Sequence, residues 1–167
     1  IERCRITHSQ WVPTMFVRLL KLDLSIREKF DLSSMKMAVH AAAPCPVDVK
    51  EKMIDWWGPI VHEYYAGTEN NGFCSITPSE WLAHKGSVGR ASQGKLHICD
   101  EEGVPLDVGQ TGAVYFSDGP QFTYHNDPAS TAQTRNSRGW TTLGDIGYLD
   151  EQGYLYLVDR KAFMIIS

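Results

Sequence analysis

The stretch MKMAVHAAAPCPVDVKEKMIDWWGPIVHEYY, residues 35–65, decides how this chain folds. Residues 35–43 are small and apolar and read as a strand, which Pro44 and Pro46 terminate. Residues 47–57 place Val49, Met53, Ile54 and Trp57 on one side of a helix, with Gly58-Pro59 as its stop. Residues 60–65 read as a second strand. Two strands joined by a helical crossover of this length predict a parallel βαβ unit.

Upstream, residues 9–21 carry Trp11, Val12, Met15, Phe16, Leu19 and Leu20 at helical spacing, with Pro13 in the first turn. Ser25-Ile26-Arg27-Glu28 has the form of a capping box that opens a short helix. The helical pattern ends near residue 85. Beyond it, short strands are expected at residues 95–99 and 113–117. Residues 140–149 and 154–158 flank Asp150-Glu151-Gln152-Gly153 and predict a hairpin. Residues 125–135, after Asp127-Pro128, suit a short helix or turn. Many short strands with glycine turns predict a β-barrel or sandwich subdomain.

Of the 167 residues, 43% are apolar and 22% charged, which is globular composition. Sixteen basic and twenty acidic side chains give a net charge of −4, which excludes a nucleic-acid module that works through a basic surface. No apolar run approaches the roughly 20 residues of a membrane-spanning helix. Cys4, Cys45, Cys74 and Cys99 form no C-x-x-C pair and read as reduced thiols of a cytoplasmic protein. The six histidines are scattered, with no spacing that suits a transition metal. The first residue is not Met, and the apolar run at 163–167 stops abruptly, so the chain is expected to be part of a longer polypeptide.

Four segments hold residue types that suit nucleotide chemistry. Tyr64-Tyr65-Ala66-Gly67-Thr68-Glu69 follows a predicted parallel strand, where α/β sheets bind ligands. It offers a stacking ring, a hydroxyl for phosphate and a carboxylate for Mg²⁺. His40-Ala41-Ala42-Ala43-Pro44 leaves backbone exposed beside a small space. In Gly139-Trp140-Thr141-Thr142-Leu143-Gly144-Asp145, the final carboxylate suits a pair of ribose hydroxyls. Val158-Asp159-Arg160-Lys161 provides a guanidinium for ribose or phosphate. Each segment alone also reads as ordinary structure: a surface loop, tight helix–sheet packing, a turn or a solvated charge cluster.

In this order the four segments resemble the adenylate-forming superfamily of acyl-CoA synthetases, luciferases and peptide-synthetase adenylation domains, closest in flavour to fatty-acyl-CoA synthetases. The matching patterns are small-small-Ala-Pro, Tyr-Gly-x-Thr-Glu, Gly-Trp-x-x-x-Gly-Asp and Asp-Arg-Lys-x-x-Met-Ile-Ile-Ser. The resemblance implies an α/β plus β fold: part of an αβαβ parallel-sheet subdomain over residues 1–85, a distorted β-barrel over 86–158, and at 159–167 the start of a hinge.

It also implies an ATP-dependent acid–thiol ligase. A carboxylic acid, in the closest branch a fatty acid, becomes an acyl-adenylate and then passes to coenzyme A. By this resemblance Tyr65 stacks on adenine, and Ala42 and Ala43 offer backbone beside the base. Thr68 contacts the α-phosphate, Glu69 holds Mg²⁺, Asp145 binds the ribose of ATP or AMP, and Arg160 adds a ribose or phosphate contact. Residues 11–16 resemble the segment that borders the acyl pocket, and equally fit a core helix.

Ala66, Leu143, Ala162 and Phe163 depart from the commonest residues of the pattern. Leu143 stands where many members carry Thr or Ser, and no hydroxyl is available there. The family's Ser/Thr/Gly-rich phosphate loop and the lysine of its small C-terminal domain are not among these residues, so the 167-residue chain alone is expected to be inactive. A carrier-protein-loading adenylation domain and a non-catalytic α+β binding module are the alternative readings.

Overall fold

A computed structural model describes residues 1–160. The end of the Asp-Arg-Lys pattern and most of the expected hinge, residues 161–167, lie outside the described residues. The chain forms two compact units, one of residues 1–65 and 75–86, the other of 66–74 and 87 onward.

In the first unit a single 3₁₀ turn precedes β1 (His8–Trp11), α1 (Pro13–Leu20), α2 (Leu24–Arg27), β2 (Met37–His40), α3 (Val47–Trp57) and β3 (Val61–Ala66). Strands β1 and β2 pair in parallel, as do β2 and β3, so the crossover through α3 makes the expected βαβ unit. Helix α3 occupies the span its periodicity predicts, and Gly58 ends it at φ 82°, a conformation that favours glycine. Strand β4 (Phe73–Ile76) leads into α4 (Pro78–Ala83). Thr77 caps α4: its hydroxyl accepts from the Glu80 amide while Glu80 reaches back to the Thr77 amide.

The helix expected over 9–21 is a strand followed by a helix. Val12 precedes Pro13 and is extended (φ −118°, ψ 152°), because the proline ring disfavours helical backbone before it. The chain upstream is then free to pair with residues 37–40 as β1. The box expected at Ser25 does not form, since α2 begins at Leu24 after Asp23 and has no side-chain cap.

Helix α1 packs on α3, and Phe16 is fully buried. Its ring meets Trp11, Trp57 and His40 at centroid separations of 6.0, 5.7 and 5.4 Å. Phe16 is therefore a core residue. An open groove of about 620 Å³ lies beside α1, α2 and α3, lined by residues that include Val17, Leu20, Val49 and Trp56, and by neither Trp11 nor Phe16.

The second unit contains β5 (Arg90–Gln93), β6 (Lys95–Cys99), β7 (Gly112–Ser117), α5 (Pro128–Gln133), β8 (Asp145–Leu149) and β9 (Leu155–Arg160). Strands β6 to β9 form an antiparallel sheet in chain order. Val114, Phe116, Leu143 and Leu155 are among its buried side chains. In the β8–β9 turn, Asp150 Oδ1 accepts from the amides of Gln152 and Tyr154, and Gly153 takes φ 79°. The expected strand over 140–149 begins only at Asp145, because before it Thr141 makes isolated bridges to Phe116 and Arg135 in place of a continuous ladder.

The first unit buries an ion pair. Lys50 Nζ of α3 lies 2.6 Å from Glu63 Oε2 of β3, and the two side chains are 0% and 7% exposed. The ammonium also sits 4.7 Å from the centroid of the Trp81 ring of α4. A buried charge without its partner is strongly destabilising, whereas an apolar replacement of both partners is often neutral. Lys50→Met should therefore cost about 3–5 kcal/mol in urea unfolding, and Lys50→Met/Glu63→Leu should recover most of that loss.

Candidate active site

The first unit holds Ala42, Ala43 and Tyr65, where β2 and β3 approach their carboxyl ends. Ala42 and Ala43 are exposed in the loop after β2. Ala42 adopts φ 75°, a left-handed conformation that costs a non-glycine residue about 1–2 kcal/mol. Strain of this kind clusters at ligand sites, where the surroundings enforce it. Tyr65 is half-buried, and its neighbour Tyr64 accepts a hydrogen bond from Gln10 Nε2 at 2.9 Å.

Below these residues the parallel register sets His40 beside Glu63. His40 is fully buried, and burial, with Lys50 nearby, pushes its pKa down to about 3. Its Nε2 lies 3.4 Å from Glu63 Oε2, yet neither ring nitrogen is aligned to form a hydrogen bond. Burial likewise lowers the Lys50 pKa and raises that of Glu63, while their mutual attraction opposes both shifts. Cys45, in the same surroundings, is pushed up to about 12 by burial first and by Glu63 second, which removes it as a nucleophile.

The second unit holds Thr68, Glu69, Asp145 and Arg160. A turn closed by the Asn70 amide on Gly67 O presents Thr68 and Glu69. Both Glu69 oxygens are engaged: Thr68 Oγ1 donates to Oε2 at 3.2 Å and Tyr124 Oη donates to Oε1 at 2.9 Å. A β-carbon on Gly67 would overlap Leu143 Cδ1, so glycine is what lets Leu143 pack under this turn. Leu143, the departure from the commoner hydroxyl residue, thus has a packing role here.

Asp145 and Arg160 face one another across the β8–β9 ladder. Arg160 Nε lies 3.6 Å from Asp145 Oδ1, with the carboxylate side chain 13% exposed and the guanidinium 70%. Thr142 sets the approach to Asp145: its hydroxyl donates to Val114 O at 2.7 Å and accepts from the Gly144 amide at 3.0 Å. Asn71 is also buried, and its Nδ2 reaches Thr141 Oγ1 at 3.2 Å. The segment after Glu69 is thereby tied to the segment before Asp145.

Tyr124 and Asn71 were not expected as site residues. No local pattern marks them, since each acts through a partner far along the chain. Glu69 suits Mg²⁺: each of its oxygens accepts one bond and keeps acceptor capacity, and Mg²⁺ commonly takes one or two carboxylates with phosphate oxygens and water. No group of three or more His, Cys, Asp or Glu side chains gathers among the described residues. No described helix is long and apolar enough to cross a membrane.

The family model for AMP-binding enzymes matches residues 1–123. The chain belongs to that family, and so to the adenylate-forming superfamily. Over 99% of its length it is 30% identical to a protein of Humulus lupulus named probable CoA ligase, of which it spans 31%. The solved amide bond synthetase McbA of Marinactinospora thermotolerans superposes on 96% of the chain with a TM-score of 0.83 and 31% identity, over 33% of its own length. The O-succinylbenzoate coenzyme A synthetase of Bacillus subtilis, solved with AMP, matches 95% of the chain with a TM-score of 0.76 and 25% identity, over 32% of its own length. The chain thus spans about a third of these relatives.

His40 predicts an acid response. Its folded pKa lies below the usual 6.5, so the unfolded chain takes up the proton first as pH falls. Its contribution to stability is complete above pH 6.5 and is lost as pH falls from 6.5 toward about 3, with a slope of up to ~1.4 kcal/mol per pH unit. Urea unfolding across that range should show a shallower slope for His40→Leu than for the parent.

Proposed function

We propose that this chain carries nucleotide-binding residues of an AMP-forming acid–thiol ligase that activates a carboxylic acid with ATP and passes it to coenzyme A. The observation that carries the reading is the group in the second unit: Glu69 with its two donors, and Asp145 paired with Arg160. The ordered motifs, the family match and the CoA ligases among the relatives support it.

In the first step a carboxylate oxygen of the acid forms a bond to the α-phosphorus of ATP, and the bond to pyrophosphate breaks. In the second the thiol sulfur of coenzyme A bonds to the acyl carbon, its proton passes to solvent, and AMP leaves with the electron pair of the broken bond. Such transfers depend on positioning and charge neutralisation more than on a protein nucleophile. Tyr65 stacks on the base, while Ala42 and Ala43 present backbone beside it. Asp145 accepts from the ribose hydroxyls, and its pairing with Arg160 orients it. Thr68 contacts the α-phosphate by turning its hydroxyl there from Glu69 Oε2, and Glu69 would hold the cation. Mg²⁺, when bound, neutralises phosphate charge.

Fatty acids are the proposed substrates, and the cytoplasm the proposed compartment. Activity belongs to a longer polypeptide that supplies the phosphate loop and the lysine, and the 167-residue chain by itself is inactive. A second reading has an amine as acceptor, favoured by the likeness to the amide bond synthetase.

The test is acid-dependent exchange of pyrophosphate into ATP by the protein expressed from its complete reading frame, across a panel of fatty and aromatic acids. Adenylation predicts exchange with some acids and none without acid. Formation of a thioester with coenzyme A, and not of an amide with added amines, separates the two readings. Asp145→Ala should weaken AMP binding at least about tenfold, as expected when hydrogen bonds to a charged acceptor are lost. Unchanged affinity would remove Asp145 from the ribose role.

A further inference from the structure

We propose that Tyr124 is a positioning residue for Glu69, holding its carboxylate in the orientation from which Glu69 takes up the Mg²⁺ that accompanies ATP. This rests on the reading of Glu69 as the cation-binding acid. A glutamate at the end of a turn can rotate freely about its last side-chain bonds, and an ordered carboxylate binds a cation without first losing that freedom. Here two donors restrain it, and Tyr124 continues to do so once Thr68 turns its hydroxyl to the α-phosphate. Thr68 Oγ1 reaches one oxygen at 3.2 Å and Tyr124 Oη reaches the other at 2.9 Å.

The backbone that carries the phenol is anchored. The Tyr124 amide donates to Thr131 Oγ1 of α5 at 2.9 Å, and Thr131 is buried. Asp127 caps that helix by accepting from the Ser130 amide. Arg135 Nη2 donates to Phe122 O at 2.6 Å, and the Phe122 and Tyr124 rings pack edge to face with centroids 5.5 Å apart. The C-terminal end of α5 also accepts the Thr142 amide on Thr134 O at 2.8 Å, so one helix braces both Tyr124 and the approach to Asp145.

The chemistry of the donor suits the task. A lysine or arginine in its place would offset the charge that attracts Mg²⁺, whereas a neutral phenol orients the carboxylate and leaves that charge intact.

The experiment is calorimetric titration of the protein from its complete reading frame with ATP in Mg²⁺, ATP in EDTA, and AMP in EDTA. Tyr124→Phe removes only the hydroxyl from a partly exposed ring. It should weaken ATP binding in Mg²⁺ about tenfold, and leave both EDTA titrations within about twofold of the parent. Glu69→Gln should abolish the gain in affinity that Mg²⁺ confers. If Glu69→Gln abolishes that gain and Tyr124→Phe does not reduce it, the role of Tyr124 is overturned and that of Glu69 stands. If Glu69→Gln keeps the gain, the cation role of Glu69 fails, and the proposal with it. Equal weakening of all three titrations by Tyr124→Phe would overturn the proposal in favour of a general structural role.

Discussion

The ion pair between Lys50 and Glu63 is the constraint on which the first unit depends. A lysine with a fully buried side chain is tolerable only beside a compensating charge, so α3 must lie where Nζ comes within 2.6 Å of β3. The same ammonium faces the Trp81 ring and so brings α4 into the arrangement. Across the parallel register, Glu63 stands beside His40, whose ring packs against Phe16 of α1. One electrostatic requirement thus touches four helices and strands directly and a fifth through an aromatic contact. Buried charge restricts alternatives more sharply than apolar contact does, because an apolar core accepts many packings and an unpaired charge accepts none. Strands β2 and β3, which bring His40 and Glu63 together, are also the two that lead to Ala42 and Ala43 and carry Tyr65.

The second unit is organised by different means. Its turns are closed by short side chains that bond to nearby backbone: Asp150 in the β8–β9 turn, Asn136 on the amides of Arg138 and Trp140, and Thr142 on Val114 O and the Gly144 amide. Such bonds fix the backbone locally at little entropic cost, which suits segments that are neither helix nor strand. Those of Asn136 and Thr142 bring the chain up to Asp145, where strand β8 begins and the ladder pairs it with Arg160. A bulge near Ile146 and Gly147 alters the twist immediately afterwards.

Where the sequence was readable, the signal was local. Helix α3 has its periodicity, its preceding prolines and its terminal glycine within residues 44–58, and the β8–β9 turn has an aspartate and a glycine at the required positions. Where reading failed, a neighbour or a backbone preference overrode the pattern. Apolar spacing across Pro13 suited a helix on both sides, but a proline restricts the residue before it, and residues 8–11 found a partner strand. The cap of α4 was written locally in Thr77-Pro78-Ser79-Glu80 and could have been recognised by the same rule that was applied to Ser25.

By itself, the sequence determined the secondary elements with strong local punctuation, the order of the four motifs, and through that order the family. Those properties depend on residues close together along the chain, whose spacing the backbone translates directly into a helix face or a turn. Tertiary structure alone decided that Asp145 faces Arg160, that His40 stands beside Glu63, and that Tyr124 donates to a carboxylate 55 residues away. Strand register and the placement of α5 set these pairings, and neither is encoded in the spacing of any single segment.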